Sequence, residues 1–224
     1  QDLTKSKDRE VKAAANARMA AKAGVWTFAL STDAGYAALS VTVSNKGKGK
    51  LSGALPDGTK VSVSVQGVLG EHALAVPFLY SKKGSIGFIF WVDDDGTVSI
   101  SDLTRMNLAS GASYEVKAMD PASSHRLSDG VHAFSFGDVV QEFEVAGRKW
   151  IFPKQNKRLG ADDPNPFATK LTFTEKTGAV KGSFTVIDPS GKKVKYTVTG
   201  MVVGDVMYGT AANKTAGSLS VIAK

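Results

Sequence analysis

The side chains able to do chemistry in this sequence are few and scattered. His72, His125 and His132 are its only imidazoles. No HxH or HExxH pattern and no neighbouring carboxylate cluster gives them metal-ligand spacing, so each reads as a surface or edge histidine. Cysteine is absent, which removes disulfides, thiolate metal sites and cysteine nucleophiles together. There is no GxSxG elbow, no SxxK and no phosphate-cradling glycine loop ahead of a helix. Asp93-Asp94-Asp95-Gly96 sets three acids before a glycine, but a calcium loop of the EF-hand type needs alternating ligands over about twelve residues and a closing Glu. The Asp-Gly pair reads instead as a hairpin turn. A carboxylate pair meeting across a barrel mouth needs only proximity in space, so spacing along the chain does not bear on it. The expectation is a protein that is not an enzyme, with no catalytic residues, no metal and no cofactor.

Binding chemistry is better represented. Tyr80, Trp91 and Trp150 are the candidate ligand-binding residues: if exposed, their rings stack on sugars while nearby lysines meet sulfate or carboxylate groups. The same rings are equally explained as core. The formal charge of +7 and pI near 9.5 permit an acidic partner, yet lysines at turns and strand edges also keep sheets from pairing edge to edge. Arg148, Lys149, Lys154, Lys157 and Arg158 gather around Trp150 and Phe152, a composition able to stack bases and hold phosphates. It reads more simply as a strand leaving the core into a solvated loop, and no specific nucleic-acid partner is expected.

What must position these residues is a duplication. Gly58-Thr59-Lys60-Val61-Ser62-Val63-Ser64-Val65-Gln66-Gly67 returns as Gly191-Lys192-Lys193-Val194-Lys195-Tyr196-Thr197-Val198-Thr199-Gly200, shifted by 133 residues, 191 minus 58. Each copy alternates apolar and polar residues between glycine turns, the period-2 signature of a half-buried strand. Upstream, Gly49-Lys50-Leu51-Ser52-Gly53 matches Gly178-Ala179-Val180-Lys181-Gly182 at a shift of 129, 182 minus 53, which places four extra residues in the second copy's turn around Ile187-Asp188-Pro189-Ser190. Downstream, Gly84-Ser85-Ile86 matches Gly217-Ser218-Leu219 at the first shift.

The chain divides accordingly. Residues 1–24 form an N-terminal linker helix, helical over 4–23 with Thr4 or Ser6 as cap and Gly24 as stop, lying loosely on the rest or joining it to an upstream region. Residues 25–224 form the duplicated β domain: half one 25–100, a connector 101–166 and half two 167–224. Strands are expected at 25–30, 36–43, 50–55, 60–66, 72–79, 84–92, 97–100, 114–118, 132–136, 142–145, 170–175, 179–187, 193–199, 201–208 and 218–223. Ser81-Lys82-Lys83-Gly84 and Asp162-Asp163-Pro164-Asn165-Pro166 are among the turns and breaks. Strand 84–92 is apolar on both faces, which either buries it centrally or presents Trp91 outward. The fold class is all-β: an antiparallel barrel or sandwich built from two homologous meanders with pseudo-two-fold symmetry, plus one helix. No run reaches the length of a transmembrane helix. The chain opens on Gln1 rather than Met, as a mature or excised piece of a precursor does.

The segments GKLSGALPDGTKVSVSVQG and VPFLYSKKGSIGFIFW, with LTFTEKTGAVKGSFTV, GKKVKYTVTGMVV and AGSLSV near the C-terminus, resemble a β-module repeated near the C-terminal ends of long secreted or surface proteins of some Gram-negative bacteria. The resemblance covers most of 25–100 and 167–224; residues 101–166 depart from it and the helix lies outside it. It implies a secreted or cell-surface module for adhesion, envelope or fibre assembly, or anchoring of a larger protein, whose partners are other surface proteins, copies of itself or glycans. Two alternatives stay open: a carbohydrate-binding module using exposed aromatics and lysines, and a small-ligand β-barrel of the lipocalin or avidin kind, which needs a cavity between the halves.

Overall fold

Alternating Val, Thr and Ser between glycine turns build strands, and the fold is all-β and antiparallel with one α-helix. The structure, a computed structural model, describes residues 3–81, 84–101, 105–108, 111–115, 117–118, 120–155 and 163–224. Lys82, Lys83, Lys157, Arg158 and Asp162, named in the turn and basic-aromatic readings above, lie outside these. In chain order the elements are α1 (Arg9–Ala21), β1 (Gly24–Thr32), β2 (Gly35–Val43), β3 (Lys48–Ala54), β4 (Lys60–Gln66), β5 (Val68–Leu69), β6 (Ala73–Tyr80), β7 (Ser85–Asp93), β8 (Val98–Ser101), β9 (Arg105–Asn107), β10 (Ser113–Glu115) and β11 (Lys117–Ala118). There follow β12 (Gly130–Phe136), β13 (Val139–Ala146), β14 (Lys149–Ile151), β15 (Lys170–Thr174), β16 (Ala179–Ile187), β17 (Lys193–Val203), β18 (Val206–Asn213) and β19 (Gly217–Ala223).

These strands enclose two separate cores. The first lobe joins a sheet ordered β11-β1-β2-β3-β4 to one ordered β10-β9-β7-β6-β5. Its interior runs from Phe28, Leu39 and Leu51 to Val76, Phe88, Phe90 and Met106. The second lobe is one nearly closed, barrel-like sheet ordered β14-β13-β12-β19-β18-β17-β16-β15, filled by Phe134, Phe136, Phe143, Phe184, Tyr196 and Val198. The stretch 101–166 is thus more than a connector: it supplies β9–β11 to the first lobe and β12–β14 to the second. The expected strand 201–208 is two strands, because Gly204, at φ +63°, turns the chain with Asp205 between the paired Val203 and Val206.

The registers carry the duplication. Lys60 pairs with Ala54 and Lys193 with Ile187; Val68 pairs with Ala75 and Met201 with Tyr208, all at the shift of 133. Both hairpin turns also have the same length. Leu55 N–H donates to Thr59 O as Asp188 N–H donates to Lys192 O, and Pro56 and Pro189 are equivalent. The four extra residues are therefore not in the turn but within β16. Gly53 pairs with Leu39 and Gly182 with Leu171, and a Cβ on either glycine would overlap a carbonyl oxygen of the strand beside it, that of Ala38 or of Lys170. An insertion of four is even, so every side chain beyond it keeps its face. At Gly67 the first lobe's chain passes from one sheet to the other, whereas its equivalent Gly200 sits within the continuous β17.

The helix is docked, and shorter than expected. Asp8, not Thr4 or Ser6, is its cap, with Oδ1 accepting from the amides of Glu10 and Val11. Ala15 and Met19 enter the first core. The turn between β7 and β8 fixes it from the other side: Arg18 grips both oxygens of Asp94 at 2.9 and 2.7 Å, and Lys22, only 4% exposed, pairs with Asp94 at 2.7 Å. The triple-aspartate segment is a turn, as expected, closed by Asp93 N–H to Thr97 O and by Thr97 N–H to Asp95 Oδ1. Strand β7 buries one face and half-buries the other; burial on both faces belongs to β1 and β2 instead.

Two outcomes follow. Gly53→Ala, forced to hold φ +152° against the Ala38 carbonyl, should cost about 2–3 kcal/mol in chemical unfolding. The bonds from Lys22 and then Arg18 hold Asp94 below its ordinary carboxylate value. Its contribution is therefore full above that ordinary value and fades as pH falls through the depressed folded one. Amide protection factors in residues 9–21, measured against the intrinsic rate at each pH, should fall on acidification through that window, and Asp94→Asn should show the lower protection already at neutral pH.

Candidate functional site

The polar sides of the duplicated strands form rows across the sheets. In the first lobe Thr27 pairs with Ser40, Ser40 with Ser52 and Ser52 with Ser62, one hydroxyl row across β1 to β4. In the second, Thr172 pairs with Lys181, Lys181 with Thr199, Thr199 with Thr210 and Thr210 with Ser220. Alternation sends these residues away from the cores, yet Thr27, Ala29, Ala38, Ser40 and Thr210 are at most 2% exposed. They are covered because the lobes meet here. Thr210 Oγ1 donates to the carbonyls of Tyr36 and Leu55 at 3.2 and 3.4 Å, and the Tyr36 and Tyr208 rings pack at 5.0 Å. The segment after β11 stitches the same boundary, with Ala122 paired to Thr27 on one side and Ser124 O accepting from Gly204 N–H on the other.

Where the rows leave the contact they open into a groove of about 550 Å³. Ser52, Gly53, Lys60 and Ser62 line it from the first lobe, and Thr177, Ala179, Lys181, Gly182, Thr197 and Thr199 from the second. Lys60, Ser62, Lys181 and Thr197 are exposed; Ser40, Val61, Val180, Val198 and Met201 lie buried beneath. Ser40 Oγ and Ser52 Oγ share a hydrogen bond at 3.0 Å. Among the described residues, the hydroxyls of Ser62, Thr197 and Thr199 have no partner within the protein. Gly53 and Gly182 sit cross-strand from Val61 and Val198, so each lobe presents the same local pattern to the groove. Those glycines serve the sheets, since a Cβ there would strike the adjacent strand.

None of the three aromatics expected to bind lines this groove, and two are not exposed. Tyr80 is 7% exposed, belongs to the first core and donates its hydroxyl to Lys60 O at 3.2 Å. Trp150 is 8% exposed and belongs to the second core. It stacks nearly parallel on Phe173 with ring centroids 5.8 Å apart, and Arg148 pairs with Glu175 at 2.5 Å. No backbone ladder joins β14 to β15 among the described residues, so these side chains close the barrel seam. As expected, this strand leaves the core into exposed chain: Trp150 is buried in β14, Phe152 is half-buried and stacks on Phe143 at 4.9 Å, and Pro153, Lys154 and Gln155 are exposed. Trp91 is half-buried, with Nε1 donating to Ser101 Oγ at 3.0 Å. The histidines stand apart: His72 is exposed, His125 lies in the segment between the lobes, and His132 contacts Ser128 O at 2.8 Å. No group of three or more metal-ligating side chains occurs among the described residues.

The groove was not found from the sequence because its walls are polar strand faces that read locally as wet. The alternating serines of 60–66 were the available signal, and cross-strand register was needed to use it. Trp150→Ala should cost about 3–5 kcal/mol in urea unfolding, as removal of a buried ring does, and Trp91→Ala distinctly less. A search of family models, curated proteins and solved structures finds no match to this chain.

Proposed function

We propose that this chain is a non-catalytic recognition module of a secreted or cell-surface protein, and that its ligand binds in the groove between the lobes. The observation that carries this reading is the convergence of two hydroxyl rows, one from each lobe, on a groove of about 550 Å³. Small-ligand sites commonly measure about 300–1,000 Å³ and favour the boundaries between packed units. The duplication supports the same reading, since it supplies both walls from related hairpins. Recognition here runs through hydroxyls and backbone, and the aromatic stacking expected at Tyr80 and Trp150 has no part in it. Surface attachment enters through the resemblance described above, and the groove gives such a module something to hold.

The test is a glycan-array screen followed by titration of whatever the purified chain retains. Ser62→Trp, at an exposed position on the groove wall, should reduce binding more than tenfold while leaving the circular dichroism unchanged, and Trp91→Ala should leave binding intact. A chain that retains no glycan, or one whose binding survives Ser62→Trp and is lost with Trp91→Ala, overturns the groove.

A further inference from the structure

Charge around the groove is one-sided. Its lining contains Lys60 from β4 and Lys181 from β16, one from each lobe, and no carboxylate. Arg18 and Lys22 share Asp94, Arg126 meets Asp129 and Arg148 meets Glu175, whereas the two groove lysines face each other's lobe with no acid in the same lining. Among the described residues Lys60 and Lys181 are in no ion pair. Two exposed ammonium groups flanking a recess, on a chain of net charge +7, attract an anion.

The rest of the lining says what kind of molecule carries that anion. Ser62, Thr197 and Thr199 offer hydroxyls that donate and accept alike, as the hydroxyls of a sugar do. Gly53, Ala179 and Gly182 are half-buried between them, giving a small apolar surface suited to the C–H face of a sugar ring. No aromatic ring lines the groove to stack a base, and no helix N-terminus borders it to cradle a phosphate.

We infer that the ligand of the groove is an acidic saccharide, a sugar whose carboxylate or sulfate lies between Lys60 and Lys181 while its hydroxyls meet the serine and threonine rows. This rests on the groove being the ligand site. It replaces a general preference for glycans with one for anionic glycans, and it assigns two lysines as the residues that determine specificity.

The experiment titrates the full chain by calorimetry with three disaccharides, one neutral, one uronate-containing and one sulfated, and with inorganic sulfate alone. The variants are Lys60→Gln with Lys181→Gln together, and Ser62→Trp. Both lysines are exposed, so the double variant should melt as the parent does. The acidic disaccharides should bind at least tenfold more tightly than the neutral one at low salt, and this advantage should shrink as salt rises. The double lysine variant should lose the advantage while retaining neutral-sugar binding, and Ser62→Trp should abolish both. Equal affinity for neutral and acidic sugars, unaffected by the lysine changes but lost with Ser62→Trp, overturns the anionic inference and leaves the groove standing. Acidic binding that survives Ser62→Trp overturns both, and places the anion on the basic surface at large. Sulfate binding as tightly as the sulfated disaccharide overturns the saccharide assignment in favour of an ion site.

Discussion

Two β-sheets can share a boundary closely only when the side chains facing each other are small. The outward residues of β1 and β2, Thr27, Ala29, Ala38 and Ser40, meet that condition, and they meet β17 and β18 with Thr210 anchoring the contact through two main-chain carbonyls. Everything else about the arrangement depends on it. Gly35 presses against Ser220 and Gly58 against Ala212, where a Cβ would intrude. Larger residues at these positions would part the lobes, and the groove at the margin of the contact exists only because the lobes come together.

The duplication explains how one chain presents two matching walls. Its hairpins keep equal turns and equal register at the shift of 133, while the second copy lengthens β16 by four residues. An even insertion leaves inward and outward residues unchanged, and Phe184 within it still enters the second core. Gly67 and Gly200 then show one position used in two ways. In the first lobe the chain turns between sheets there, and in the second it runs straight, so the halves close differently on related sequences.

Much of this architecture was legible in the residues. Period-2 alternation located β4 and β16 to the residue, and glycine turns located the hairpins, because strand and turn signals are local. The helix docking was not legible, since Asp94 lies 76 residues from Arg18 and nothing local joins them. The boundary strand 201–208 was misread because Gly204-Asp205 interrupts a continuous run of β-formers. The candidate site was illegible for a deeper reason. Ser40, Ser52 and Ser62 become one row only through register, and they become a wall only through contact with the second lobe. Trp150 was singled out by type alone; its place in the second core beside the barrel seam, on the wall of a recess of about 530 Å³ shared with Phe152 and Lys154, needed the fold.

The strand order of the second lobe has a consequence for synthesis. In the first lobe β1 to β4 and β5 to β7 follow one another along the chain, and β11 joins out of order at the edge beside β1. In the second lobe the strand that joins out of order is central, because β19, last in that lobe's chain order, lies between β12 and β18. β12 through β14 must therefore wait with an unpaired edge while about 80 further residues are translated, roughly 4–16 s at ordinary elongation rates. The pairing that joins the two halves of this sheet, Phe134 with Ala223, is therefore among the last events in the making of the lobe.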